Sequence, residues 1–214
     1  MGKGHVMRKA IEAGQLPSFI LWGPPGSGKT TLAYIIANTT GSHFSPVSAV
    51  SAGVNDLRRI IDEAKERRKL YQQKTILFID EIHRFNKAQQ DAVLPFVEDG
   101  TVTLIGATTE NPSFEVTSPL LSRCQVLTLN PLTEGEIRII ILRALRDRLE
   151  GLGALNVELA DDAMLHLINM SNKDARIALN ALEMAALATA PDDEGQRYVP
   201  LSTIEDALQH RALL

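Results

Sequence analysis

Gly23-Pro24-Pro25-Gly26-Ser27-Gly28-Lys29-Thr30 fills every fixed position of the pattern G-x-x-x-x-G-K-[ST], and the apolar run Phe19-Ile20-Leu21-Trp22 stands directly before it. A strand, a glycine-rich turn and a helix in that order form a phosphate cradle. Successive backbone N–H groups converge on phosphate oxygens, and the helix opening at Lys29 offers its unpaired N–H groups and dipole to the same anion. Lys29 is expected to reach the β- and γ-phosphates, and the Thr30 hydroxyl to ligate Mg²⁺. Thr31, next on the helix, completes the expected binding set of Gly23, Pro24, Pro25, Gly26, Ser27, Gly28, Lys29, Thr30 and Thr31.

Working outward, apolar runs around 18–22, 44–50, 75–79, 102–107 and 124–129 read as strands with helical patterns between them. Leu57, Ile60, Ile61, Ala64 and Tyr71 recur at helical spacing over 54–72, and Asn86 with Gln89 marks a helix start that runs to about Glu98. Thr75-Ile76-Leu77-Phe78-Ile79 is continuously apolar, as a strand buried on both faces of a parallel sheet requires. The expected fold is therefore α/β, a five-stranded parallel sheet flanked by helices, spanning 1–130. Past about residue 131 the strands stop. Thr133-x-x-Glu136 and Ser202-x-x-Glu205 read as capping boxes, and helices are expected over 133–150, 161–170, 173–190 and 202–212. These form a small all-helical subdomain over 131–214, joined at Asn130-Pro131-Leu132.

The 214 residues, 44% apolar and 22% charged, suffice for a buried core. Cys124 is the single cysteine, so no internal disulfide framework exists, and a reducing, cytoplasmic setting fits. No apolar stretch approaches the roughly 18 residues of a membrane span. The net charge of −4 argues against a strongly cationic nucleic-acid coat.

A second constellation follows the buried strand at Asp80-Glu81. Asp80 is expected to hold Mg²⁺ through water, and Glu81 to polarise the attacking water, since phosphoryl transfer depends on positioning and charge stabilisation.

Three stretches now carry a resemblance: Ile20 to Ala33 across the phosphate loop, Phe78-Ile79-Asp80-Glu81-Ile82-His83-Arg84-Phe85-Asn86-Lys87-Ala88-Gln89-Gln90-Asp91, and Gly106-Ala107-Thr108-Thr109-Glu110-Asn111-Pro112-Ser113-Phe114. The chain resembles the AAA+ ATPases, and more closely their RarA/MgsA group of replication-associated recombination proteins, relatives of the Werner helicase-interacting ATPases. The resemblance implies ATP hydrolysis with Mg²⁺, a helical lid, and a homo-oligomer, tetrameric or higher, acting on DNA at stalled forks, gaps or ends. It adds single-stranded DNA-binding protein as a further partner. By the same resemblance Thr109 matches the sensor that orients the attacking water. Arg123, in Ser122-Arg123-Cys124, matches the arginine finger reaching the neighbouring subunit's γ-phosphate. Arg176, in Asp174-Ala175-Arg176, matches the lid's sensor arginine.

The chain departs from the family pattern in places. Lys173 stands where the family has glycine, and Lys3, in Gly2-Lys3-Gly4-His5, stands where glutamine is expected in the segment that packs on adenine. The chain reads as a module truncated at both ends, with weaker nucleotide affinity and assembly expected. On the 54–72 helix Arg58, Lys65 and Lys69 form a basic stripe that could face DNA, but Asp62, Glu63 and Glu66 interrupt it, and such a stripe is ordinarily solvated. His43 and His83 read as structural, with no metal-ligand spacing around them. Competing readings are a clamp-loader subunit, which shares Ser-Arg-Cys, and a nucleotide-gated scaffold with little turnover. A branch-migration motor shares Gly-Ala-Thr-Thr but fits the Glu110-Asn111-Pro112 continuation poorly.

Overall fold

Alternation along each strand decides how the first part of the chain folds. The computed structural model describes Lys9, Ile11 and residues 16–210. It divides into two compact units, one holding the residues up to Pro24 with Gly28–Leu129, the other Pro25–Ser27 with the residues from Asn130 onward.

In the first unit β1 (Ser18–Trp22), β2 (His43–Ser48), β3 (Thr75–Asp80), β4 (Val102–Thr108) and β5 (Cys124–Thr128) form one parallel sheet in the order β2-β3-β4-β1-β5. Because successive side chains leave a strand on opposite faces, β3 feeds two cores at once. Ile76 and Phe78 join Phe19, Leu21, Ile105 and Ala107 against Ala33, Ile36 and Ala37 of helix α1 (Lys29–Thr40). Leu77 and Ile79 join Ile20 and Leu104 against Leu57, Ile61 and Ala64 of helix α2 (Val54–Tyr71) and Val93 of helix α3 (Lys87–Glu98). Each large side chain so buried contributes about 1.5–3 kcal/mol. That is why β3 is apolar without alternation.

Helix α3 begins where its capping box says. Asn86 Oδ1 accepts from the Gln89 N–H at 2.9 Å, while the Asn86 N–H donates to Gln89 Oε1 at 2.8 Å. Two short helices, α4 (Pro112–Glu115) and α5 (Ser118–Leu121), follow β4 and have no periodic signature in the sequence. Tyr71, expected on the apolar face of α2, is instead 74% exposed in its last turn.

The outer face of α2 is engaged within the chain. Arg59 pairs with Glu63 at 3.5 Å, Lys65 with Asp62 at 3.5 Å and Arg67 with Glu63 at 3.9 Å. Lys65 also lies 4.6 Å from the Phe96 ring centroid, and Arg68 donates to the Gly100 carbonyl at 3.1 Å. Exposed pairs of this kind contribute at most about 1 kcal/mol each. They do leave much of the helix's positive charge already answered.

The second unit holds α6 (Glu134–Arg146), α7 (Asp161–Met170), α8 (Ala175–Ala188) and α9 (Leu201–His210). Its core is Ile137 and Ile141, Met164, Leu167 and Ile168, Ala181, Leu182 and Ala185, and Ile204. The Thr133–Glu136 capping box forms, the Glu136 N–H donating to Thr133 Oγ1 at 3.2 Å and the Thr133 N–H to Glu136 Oε2 at 2.8 Å. That bonding holds the Glu136 carboxyl below its ordinary pKa.

Three expectations for this unit are corrected. It is not free of strands: β6 (Val157–Leu159) and β7 (Arg197–Val199) pair in parallel, and runs of three residues are too short to show a period. Ser202 is not a cap. The Ile204 N–H reaches back to the Pro200 carbonyl, so α9 has begun by Leu201 and Ser202 lies inside it. The helix expected over 133–150 ends at Arg146, where Asp147 turns the chain by accepting the Leu149 and Glu150 N–H groups. The amino-terminal departure at Gly2–His5 lies outside the described residues, as does the end of the helix expected to reach 212.

Lys173 explains the family's glycine. It has φ 65°, immediately after Asn172 at φ 49° and before Asp174, whose carboxylate caps α8 by accepting the Arg176 N–H at 2.8 Å. A side chain in the left-handed region is strained by roughly 1–2 kcal/mol. Lys173→Gly is therefore expected to stabilise the second unit by about 1 kcal/mol, read as a raised urea midpoint at unchanged slope.

Candidate nucleotide site

The phosphate loop is shaped by backbone angles that only glycine adopts freely. Gly26 and Gly28 have φ of 68° and 84°, and Gly28 leaves open space where a Cβ would stand. Gly28 is the N-cap of α1, its carbonyl accepting the Leu32 N–H at 2.8 Å with no side chain capping the first turn. The amino end of such a helix is suited to an anion. Lys29, only 9% exposed, folds its ammonium back on the loop and donates to the Gly23 and Pro24 carbonyls at 2.8 Å each. A buried ammonium needs such acceptors.

The Gly23 N–H donates to the Thr108 carbonyl at 3.2 Å, fastening the loop to the end of β4. In the sheet Trp22 lies beside Thr108, and Ile79 beside Gly106. The carboxyl ends of β1, β4 and β3 therefore stand side by side, the edge where open α/β sheets bind ligands.

At the end of β3, Asp80 Oδ1 accepts the Glu81 N–H at 3.2 Å. Glu81 is left-handed, with φ 55° and ψ 46°, and starts a tight turn over Ile82–Arg84 in which the Arg84 N–H donates to its carbonyl at 2.7 Å. Ile82 anchors the turn in the core, wholly buried. It fits because Gly106 has no side chain: a Cβ there would meet the Ile82 and Ile20 Cδ1 atoms at 2.9 Å. Both atoms end flexible side chains, so Gly106→Ala is expected to cost about 1–3 kcal/mol of stability, measured by thermal unfolding.

The turn brings His83 beneath Glu81. His83 Nε2 lies 3.1 Å from Glu81 Oε2, and Nδ1 lies 3.0 Å from Thr108 Oγ1. Thr108 Oγ1 in turn accepts the Glu110 N–H at 3.0 Å. Thr108, fully buried, is the residue that closes β4. The hydroxyl joined to Glu81 is thus that of Thr108; Thr109, matched by resemblance, follows the strand and is not among the partners of this network. The sequence had His83 as a structural residue and assigned Thr108 no role. The usable signal was a histidine two residues beyond a strand-end glutamate.

Thr30 and Asp80 supply hard oxygen donors, the donor chemistry that suits Mg²⁺. Among the described residues no three His, Cys, Asp or Glu side chains cluster as a metal cage.

Arg123 stands between α5 and β5. It pairs through Nε with the Glu98 carboxylate and donates through Nη1 to the Pro119 carbonyl and Ser122 Oγ, both at 2.9 Å. Gln90, 2% exposed, holds the preceding segment by donating to the Phe85 and Glu115 carbonyls and accepting the Thr117 N–H. Beside Arg123, burial pushes the Cys124 thiol up to about 11, which keeps it protonated and unreactive at neutral pH. Arg176 belongs to the second unit, in the first turn of α8. Its side chain is 70% exposed and lies 3.7 Å from Asp174.

A family model described as ATPase family associated with various cellular activities (AAA) matches residues 19–132, and one described as AAA C-terminal domain matches 153–214. Replication-associated recombination protein A of Escherichia coli (strain K12) is 48% identical over 199 residues, covering 93% of this chain and 44% of that protein. ATPase WRNIP1 of Dictyostelium discoideum is 46% identical over 90% of this chain and 22% of that protein. The chain thus spans less than half the length of these relatives. Among solved structures, the Thermotoga maritima RuvB Holliday junction branch migration motor superposes with a TM-score of 0.70 at 29% identity, over 95% of this chain and 65% of that one.

Proposed function

The chain belongs to the AAA family of ATPases, in the group of Replication-associated recombination protein A, and on that premise we propose that it hydrolyses ATP at a site shared between neighbouring copies and acts on DNA. The observation that carries the reading is the bonded run from the Gly23 N–H through Thr108 and His83 to Glu81, which links both nucleotide motifs.

The loop N–H groups and Lys29 hold the phosphates. Thr30 and Asp80 would hold Mg²⁺, which when bound would supply charge neutralisation to the phosphates. Glu81 orients the attacking water, and the strand-end hydroxyls of Thr108 and Thr109 assist that alignment. Arg123 serves the nucleotide of the next subunit, and Arg176 serves the nucleotide of its own chain. The names of the relatives support a role in replication-associated recombination, with forks, gaps or DNA ends as substrate and single-stranded DNA-binding protein as an added partner. The DNA contact is not assigned to α2, where Asp62, Glu63 and Glu66 interrupt the stripe of Arg58, Lys65 and Lys69 and Lys65 is paired with Asp62.

ATP turnover measured with and without forked or gapped DNA tests this. Stimulation of about tenfold or more is expected. Turnover indifferent to DNA removes the DNA role and leaves the ATPase.

A further inference from the structure

We infer that His83 is a positioning residue that fixes the Glu81 carboxylate and ties its orientation to the Thr108 hydroxyl at the end of β4. The inference rests on the reading of Glu81 as the group that orients the attacking water.

The hydrogen inventory gives the chain a direction. A carboxylate only accepts, so Glu81 Oε2, 3.1 Å away, takes its hydrogen from His83 Nε2. In the tautomer with its one hydrogen on Nε2 the ring accepts at Nδ1, and Thr108 Oγ1, 3.0 Å away, donates there in preference to its other acceptor, the Glu110 carbonyl at 3.3 Å. Having given its hydrogen to the ring, Thr108 Oγ1 is free to accept, and the Glu110 N–H supplies the bond at 3.0 Å. Every donor from Glu110 through Thr108 and His83 to Glu81 thus points the same way. Bonds arranged head to tail polarise one another. A slip anywhere in the run would turn a lone pair toward the carboxylate.

The surroundings hold the ring in that role. The His83 side chain is 11% exposed, whereas Glu81 is 40% exposed and so keeps one side open to solvent. The wholly buried Ile82 between them fixes the spacing, and the left-handed backbone at Glu81 sets its direction. Strain of this kind persists only where the neighbours over-determine it. The same β4 end bonds the phosphate loop through the Thr108 carbonyl, so a shift of the loop is felt by the residue that feeds His83.

The test compares steady-state kcat and KM for ATP in the whole chain for wild type, Glu81→Gln, His83→Ala, His83→Gln, Thr108→Val and Glu81→Gln with His83→Ala. His83→Ala is expected to lower kcat about 10–100-fold while KM stays within about threefold, because a misdirected carboxylate loses alignment and not binding. His83→Gln retains an amide donor toward Glu81 and should recover most of that loss. Thr108→Val, which removes the hydroxyl donor, should fall in the same direction as His83→Ala and serves as a second probe if His83→Ala unfolds. The double variant should be no slower than Glu81→Gln alone, since His83 acts through Glu81.

Wild-type kcat in His83→Ala overturns the inference. So do equal losses in the alanine and glutamine variants, a rise in KM as large as the fall in kcat, or a further drop in the double variant. Unimpaired turnover in Glu81→Gln itself would instead sink the underlying role of Glu81, a result separate from all of these.

Discussion

Arg123→Ala is expected to lower ATP turnover by about 10³-fold while leaving nucleotide affinity within about threefold. An arginine finger meets charge that develops on the transferring phosphoryl group, so its loss falls on the transition state and spares binding. The side chain sits at the surface, 43% exposed, and its bonds to Glu98, Pro119 and Ser122 lie there with it. Folding should therefore survive, and a circular-dichroism melt is the control. Because the site is proposed to be shared, Arg123→Ala mixed with an inactive partner that still carries the arginine should recover activity. With random assembly from equal amounts, about a quarter of sites join an intact loop to an intact finger, so recovery to about a quarter of wild type is expected. No recovery under conditions where the variants co-assemble removes the shared site.

Lys29→Ala is the natural partner in that mixture, and by itself should weaken ATP binding about 100-fold and bring turnover below detection. The ammonium is 9% exposed and bonded to the Gly23 and Pro24 carbonyls. A charge-assisted bond from a desolvated ammonium to phosphate is worth about 1.5–3 kcal/mol, which is the affinity loss stated. Fluorescent-nucleotide titration measures it. Affinity unchanged in Lys29→Ala would mean that the loop N–H groups alone hold the phosphates.

Much of this site can be read from residues alone. The phosphate loop was legible because glycine is demanded at Gly26 and Gly28 by their positive φ, and such a demand leaves a fixed trace in sequence. The strand Thr75–Asp80 was legible because both of its faces are buried, so no polar residue interrupts it. Local reciprocal bonds were equally plain, as Asn86 with Gln89 and Thr133 with Glu136 show.

What escaped depended on geometry with no residue code. His83 meets Glu81 only because Glu81 takes a left-handed turn, an uncommon state for a glutamate that nothing in its neighbours announces. Which of Thr108 and Thr109 joins that network is a matter of strand phase at its last residue. Strands β6 and β7 were missed because three residues show no period, and their pairing joins Val157 to Arg197 across the intervening helices.

The order of the sheet has a consequence for how the chain acquires its fold. Strand β1 is made first but does not pair with β2; Phe19 lies beside Ile105 on one side and Gln125 on the other. The phosphate loop is therefore anchored only after β4 and β5 have been synthesised, and the cost of closing those long loops must be met before any pairing rewards it. A nascent chain stopped before Val102 would carry the whole phosphate-loop sequence with neither flanking strand to seat it. Nucleotide should accordingly bind late, as a ligand of the completed sheet, and serve as a reporter that the last strands have docked.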